Sequence, residues 1–160
     1  MKSIIFLYIW VLFNIFIGIY EIYCYLNRNK LSLDTFPKWN SSIIHSWNEY
    51  CRVDPRYILK NHHYVWYFEL LNAFYAFILI FLLFIRFTPF RIEDVHLIKY
   101  ILLLEIISCS LYFITLFFEF LFNTNISHAI LENSTITNRI IYYGISSIWI
   151  CIPVYLYIHI

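Results

Sequence analysis

The chain has 160 residues, of which 62% are hydrophobic and 13% are charged, whereas an average soluble domain has about 45–50% apolar and about 25% charged residues. A soluble fold of this length could not bury so much apolar surface, because small domains leave a large share of their surface exposed. The formal net charge of +1 excludes the strongly positive surface that is typical of nucleic-acid-binding proteins. The sequence therefore predicts one domain over residues 1–160, embedded in a lipid bilayer.

Four long apolar runs follow one another along the chain. They cover about 4–26, 63–87, 97–122 and 139–159, and each is close to the ~20 residues that a membrane-spanning helix needs. The runs predict an all-α, polytopic membrane protein in which four transmembrane helices form one bundle.

Each run has a polar or small-residue face at helical spacing, because residues three and four apart lie on the same side of a helix. In membrane proteins such faces turn toward other helices, where their hydrogen bonds can be satisfied. The four faces therefore predict a bundle with a polar interior and an internal cavity. In chain order they are Asn14, Gly18 and Glu21; Glu69, Asn72, Ala73 and Ala76; Glu105, Ser108, Cys109 and Tyr112; and Tyr142, Ser146, Trp149 and Pro153.

Carboxylates within the apolar runs are the strongest functional candidates. An ionisable side chain at the centre of a membrane helix costs at least ~2.5 kcal/mol, so it usually has a function or a specific partner. Glu69 and Glu105 lie inside their runs, and Glu21 lies nearer an end. The competing interpretation is that these groups are neutral packing elements or lie among the lipid headgroups.

The connections between the runs give conflicting signals about sidedness. The first connection carries more Lys and Arg than the second, which favours a cytoplasmic location by the positive-inside rule. The three Asn-x-Ser/Thr sequons, at Asn40, Asn125 and Asn133, lie in the first and third connections, which favours a lumenal location for both. The sequons favour a lumenal side for these connections and a cytosolic side for both termini, but the sequence leaves both orientations open.

Neither a metal nor a cofactor is expected from the sequence. The four cysteines are far apart and, like the six histidines, show no spacing typical of a metal site. A disulfide between Cys24 and Cys51 is one alternative to free thiols.

Several short motifs occur in the order expected of a known family. They are 46–50 (Ser-Trp-Asn-Glu-Tyr), 54–59 (Asp-Pro-Arg-Tyr-Ile-Leu), Glu69, 111–115 (Leu-Tyr-Phe-Ile-Thr) and 148–153 (Ile-Trp-Ile-Cys-Ile-Pro). Through these motifs the chain resembles the EXPERA superfamily, and within it the emopamil-binding protein family of sterol Δ8-Δ7 isomerases.

The resemblance implies a multi-pass protein of the endoplasmic reticulum membrane that binds a sterol or a cationic amphiphilic small molecule. In the isomerases, a double bond migrates through a carbocation that carboxylates stabilise. The implied catalytic residues are Glu69 and Glu21. The residues expected to bind substrate are Trp149, Ser146, Tyr112, Asn14, Glu105, Asn72 and Asp54.

The chain departs from the isomerase pattern on its first helix. The family has a histidine one turn before its first acid. In one alignment register this pair becomes Asn14 and Gly18, and in the other it becomes Ile17 and Glu21. The second register is preferred because it brings the acid closer to the motif at 46–50, yet neither register supplies the histidine.

The missing histidine leaves a second interpretation open. The sigma-2 receptor branch of the same superfamily has an acid on its first helix, an Asp-Pro in its first loop and a glutamate on its second helix, which would correspond to Glu21, Asp54-Pro55 and Glu69. That branch is associated with sterol binding and handling and not with turnover. Both interpretations are compatible with a homodimer.

Overall fold

α-Helices make up almost the whole of the part of the chain that can be described. In the computed structural model these residues are 2–31, 42–59, 64–85 and 92–160, and they contain helices but no strand. The helices are α1 (Lys2–Leu26), α2 (Ser42–Val53), α3 (Val65–Ile80), α4 (Ile92–Phe122), α5 (Thr124–Asn133) and α6 (Ile136–His159).

Four of these helices are long and apolar enough to cross a membrane. The spans are Ser3–Leu26, Val65–Leu83, Val95–Phe122 and Ile136–His159. They confirm the predicted all-α fold with four transmembrane helices, and they identify the chain as a multi-pass membrane protein.

The helix ends differ from the predicted runs, which were measured on apolar residues alone. Polar residues extend both α4 and α6 at their N-termini, since α4 begins at Ile92 and α6 at Ile136. The Thr135 side chain caps α6 by accepting a hydrogen bond from the Asn138 amide at 3.1 Å. At the C-terminus of α3 a π-helical turn covers Phe81–Ile85, and the remaining predicted positions of that run lie outside the described residues.

The four spanning helices form a ring, with α1 packed along α3, α3 against α4, α4 along α6, and α6 against α1. The α1–α3 contact depends on small residues. A Cβ atom added to Gly18 would lie 2.9 Å from the Cβ of Ala73, which is closer than two carbon atoms can pack. Gly18 therefore allows the two backbones to approach, as small residues commonly do between membrane helices.

Two shorter helices close one end of the ring. Helices α2 and α5 contact each other, and α2 also contacts α1 and α6. Both segments lie in the predicted connections, and neither is long or apolar enough to span a membrane. Between them, a 3₁₀ turn at Pro55–Tyr57 is capped by the Asp54 side chain.

Candidate functional site

A cavity of about 210 Å³ lies between the four spanning helices, beneath α2. Six of the residues predicted from sequence to form the site line it: Glu21, Glu69, Asn72, Tyr112, Ser146 and Trp149. Residues that sequence analysis did not assign to the site complete the wall: Ile17, Tyr20, Trp47, Tyr50, Phe68, Cys109, Phe113 and Ile145. The structure thus brings together polar residues from every spanning helix.

Glu21 on α1 and Glu69 on α3 approach each other within hydrogen-bonding reach at the cavity wall. Both side chains are buried, with only 6% and 7% of their surface exposed. Two ionised carboxylates so close together would repel each other, so a hydrogen bond between them would require a proton on one of the two. The pair can therefore hold a transferable proton beside a hydrogen-bond acceptor.

The Tyr57 hydroxyl donates a hydrogen bond to Oε1 of Glu69 and fixes the position of that carboxyl. Burial, with Glu69 as the next contribution, raises the pKa of Tyr57 well above its usual value, so Tyr57 remains a donor. The backbone oxygen of Tyr57 accepts a hydrogen bond from Nε1 of Trp66 at 3.2 Å, which attaches the 3₁₀ turn to α3. Tyr57 belongs to the motif at 54–59, but it was not among the residues predicted to form the site.

Asp54 does not line the cavity, because Arg56 and Tyr112 occupy its carboxylate. The Arg56 guanidinium donates from Nε to Oδ1 and from Nη2 to Oδ2, both at 2.8 Å, and its backbone N–H donates to Oδ1 at 3.2 Å. The Tyr112 hydroxyl supplies a fourth hydrogen bond. A carboxylate has about four lone-pair sites, so Asp54 has no capacity left for a ligand.

Arg56 is also fully buried. Burial alone would lower the pKa of Arg56, but Asp54 reverses that effect and raises it above the usual value, so the guanidinium is charged. Its Nη1 donates to Oγ1 of Thr115 at 3.0 Å, which ties the 3₁₀ turn to α4. The ion pair therefore anchors the first connection above the cavity.

Tyr112 connects this ion pair to the cavity. Its only hydroxyl proton goes to Asp54, so Tyr142 must be the donor in the 2.6 Å contact between the Tyr112 and Tyr142 hydroxyls. The Tyr57 hydroxyl lies 3.4 Å from that of Tyr112. A chain of hydroxyl groups consequently extends from the ion pair toward Glu69.

Trp149 on α6 contributes an aromatic side chain to the cavity wall. Its ring stacks on Phe13 with centroids 5.7 Å apart and contacts Trp10 at 5.2 Å. On the α3–α4 side, Asn72 Oδ1 accepts a hydrogen bond from the Cys109 thiol at 3.6 Å. The cavity wall therefore combines two carboxyl groups with an aromatic side chain, and both kinds of group stabilise positive charge.

Asn14 and Glu105 are buried inside the bundle but do not line this cavity. The Asn14 amide donates to the Trp10 backbone oxygen at 2.9 Å. Glu105 lies near the Trp10 side chain. Both residues are on the predicted polar faces of α1 and α4, farther along the bundle from α2.

Within the described ranges, no group of three or more His, Cys, Asp or Glu side chains could hold a metal ion. Cys24 and Cys51 are both buried free thiols, so the disulfide alternative is not present. Burial, reinforced by the charge of Asp54, raises the pKa of Cys51 well above its usual value.

No family model, curated protein or solved structure matches the chain. The functional interpretation therefore depends on the geometry of the cavity and on the short motifs.

Proposed function

We propose that this chain is an EXPERA-type protein of the endoplasmic reticulum membrane that binds a sterol or a cationic amphiphilic amine between its helices. The observation that carries the proposal is the meeting of Glu21 and Glu69, from separate helices, in a cavity that Trp149 also lines. A protonated amine, or a carbocation formed from a sterol, would be stabilised there by carboxylate charge and by the aromatic face.

The size of the cavity indicates how such a ligand would bind. Small-molecule sites usually enclose ~300–1,000 Å³, and this cavity of about 210 Å³ is smaller. Beside it, a groove of about 440 Å³ lies between α4 and α6, and Phe113 borders both spaces. The cationic or reacting centre would occupy the cavity, and the remaining apolar part would extend past Phe113 into the groove.

Isomerisation of a Δ8 sterol to a Δ7 sterol is the second candidate, and it is favoured by the two neighbouring carboxyl groups, one of which would carry the proton for the reaction. The pair would donate this proton to one carbon of the double bond, leaving the positive charge on the other carbon. It would then take a proton from the next carbon along, which forms the new double bond and restores the pair. The step needs no oxidant or reductant. Because the cavity wall contains no histidine among the described residues, Glu21 and Glu69 would have to act as both acid and base.

Binding of a radiolabelled cationic amphiphilic amine to the protein in lipid nanodiscs tests the first candidate. Glu21→Gln and Glu69→Gln are each expected to weaken binding at least tenfold, because a hydrogen bond or ion pair to a charged group contributes about 1.5–3 kcal/mol. Glu132→Gln is the matched control, since the Glu132 side chain is 63% exposed. Equal binding by all three variants would contradict the proposal.

Conversion of a Δ8 sterol by membranes that contain the protein tests the second candidate. Glu69→Gln should abolish the Δ7 product. If the wild-type protein binds the labelled amine but forms no Δ7 sterol, the enzymatic function is excluded and the binding function remains.

A further inference from the structure

The groove between α4 and α6 has a charged end and an apolar end. Six residues line it: Phe113, Leu116, Phe117, Phe120, Arg139 and Tyr143. Arg139 lies in the first turn of α6 and Phe120 in the last turn of α4, so both are at the end of the bundle that α2 and α5 close. Phe113 is seven residues before Phe120, which places it about 10 Å deeper in the membrane. The groove is therefore charged near the membrane surface and apolar toward the bilayer centre, as a phospholipid is.

Arg139 supplies the charge of the groove. An arginine is always protonated in proteins, and none of the other wall residues is acidic. The Nε and Nη2 groups of Arg139 donate hydrogen bonds to the backbone oxygens of Thr135 and Ser134 at 3.3 and 3.5 Å. Within the described part of the chain, no carboxylate forms an ion pair with Arg139, and its Nη1 has no hydrogen-bond partner. The guanidinium can therefore bind the oxygens of an anionic group, for which its planar geometry is well suited.

The apolar part of the groove can hold a hydrocarbon chain. Leu116, with 3% of its surface exposed, forms the floor, whereas Phe117 is 59% and Tyr143 is 37% exposed, so the groove opens toward the surrounding lipid. Its volume of about 440 Å³ is within the ~300–1,000 Å³ of small-molecule sites. Tyr143 is one turn after Arg139 on the same face of α6, which places a phenol side chain next to the charged end.

We propose that this groove binds an anionic phospholipid, with the phosphate on Arg139 and one acyl chain running from Phe120 to Phe113. Basic pockets between membrane helices commonly bind lipid headgroups. A zwitterionic headgroup fits less well, because its cationic part would meet no acid among the wall residues. The inference does not rest on the proposed function. Since the apolar part of the proposed ligand would extend into the same groove, lipid and ligand would exclude each other there.

Native mass spectrometry of the protein released from detergent micelles measures lipid binding directly. The test compares two phospholipids with the same two oleoyl chains, the anionic phosphatidylglycerol and the zwitterionic phosphatidylcholine. The wild-type protein should bind phosphatidylglycerol about tenfold more tightly. Arg139→Gln should remove this preference, and Arg139→Lys should keep part of it, since lysine retains the charge but not the planar guanidinium. Phe117→Ala should weaken the binding of both lipids roughly fivefold, because it removes apolar contact with the acyl chain.

Arg28→Gln is the matched control and should retain the tenfold preference. Arg28 also lies at the end of the bundle that α2 closes and donates to a backbone oxygen, that of Tyr25 at 2.9 Å, but it does not line the groove. Equal affinities of the wild-type protein for the two lipids would overturn the proposal. So would a preference that Arg139→Gln retains or that Arg28→Gln also loses, or unchanged lipid binding by Phe117→Ala. The assay contains no amine or sterol, so each of these results leaves the proposed function of the cavity standing.

Discussion

Replacing Arg56 by methionine is expected to destabilise the protein by about 3–5 kcal/mol, because it leaves the carboxylate of Asp54 buried without its counter-ion. Both side chains of this ion pair have no exposed surface. The substitution removes the guanidinium hydrogen bonds to Asp54 at 2.8 Å and the hydrogen bond to Thr115 at 3.0 Å. For a chain of this length each kcal/mol corresponds to about 2–4 °C in unfolding temperature, so the midpoint should fall by roughly 10 °C.

Thermal unfolding in detergent micelles, followed by circular dichroism, measures the effect. Arg52→Met is the matched control, since Arg52 pairs with Glu49 at 3.5 Å while both side chains are partly exposed; such pairs contribute about 0–1 kcal/mol. The double variant Asp54→Leu/Arg56→Met should recover much of the loss, because an apolar pair carries no desolvation penalty. Equal midpoints for Arg56→Met and Arg52→Met, or a double variant less stable than the single one, would refute the explanation.

Three further predictions concern stability and reactivity. Gly18→Ala should lower the free energy of unfolding by about 1–3 kcal/mol, because the new methyl group meets Ala73. Gly144→Ala should leave the unfolding temperature unchanged in the same thermal assay, since nothing lies within 4 Å of its added Cβ. Cys51 should react with a thiol alkylating reagent only after denaturation, as mass spectrometry would detect, because burial raises its pKa and the thiolate is the reactive form; labelling of the folded protein would contradict this. The raised pKa of Tyr57 means that above pH ~10 the unfolded phenol ionises while the folded one does not. The free energy of unfolding should therefore fall as the pH rises through that range, and it should fall less steeply for Tyr57→Phe. Identical slopes of unfolding free energy against pH for the two proteins would contradict a raised pKa of Tyr57.

The spanning helices were predictable from sequence because lipid imposes a one-dimensional requirement on the chain. A run of about 20 apolar residues is long enough to cross a bilayer whatever its neighbours are, and helical periodicity then shows which side chains point inward. On this basis Glu21, Asn72, Ser146 and Trp149 could be placed on interior faces before any contact was known, and the structure brings all four to one cavity.

The end of the site that α2 and the 3₁₀ turn close was less predictable from sequence, because it depends on contacts between distant residues in short polar segments. The contact of Tyr57 with Glu69 crosses from a 3₁₀ turn to a spanning helix, and that of Tyr112 with Asp54 joins residues 58 positions apart. Nothing in the local pattern distinguishes a tyrosine that donates to a catalytic candidate from one that faces lipid. Likewise Trp47 could be read from sequence only as part of a motif, and its place in the cavity wall depends on how α2 docks.

The buried acids differ in the hydrogen-bond donors that the protein itself supplies, and this difference determines which of them can act on a ligand. From sequence alone, each carboxylate inside the bundle has a similar free-energy cost of burial. Asp54 has its lone pairs filled by Arg56 and Tyr112, so a bound cation would have to displace existing bonds. Glu69 receives a donor from Tyr57 and lies beside Glu21 in the cavity wall, which leaves acceptor capacity at the cavity surface. A positive charge is therefore most strongly stabilised at the Glu21–Glu69 pair, where it adds interactions without removing any that hold the fold.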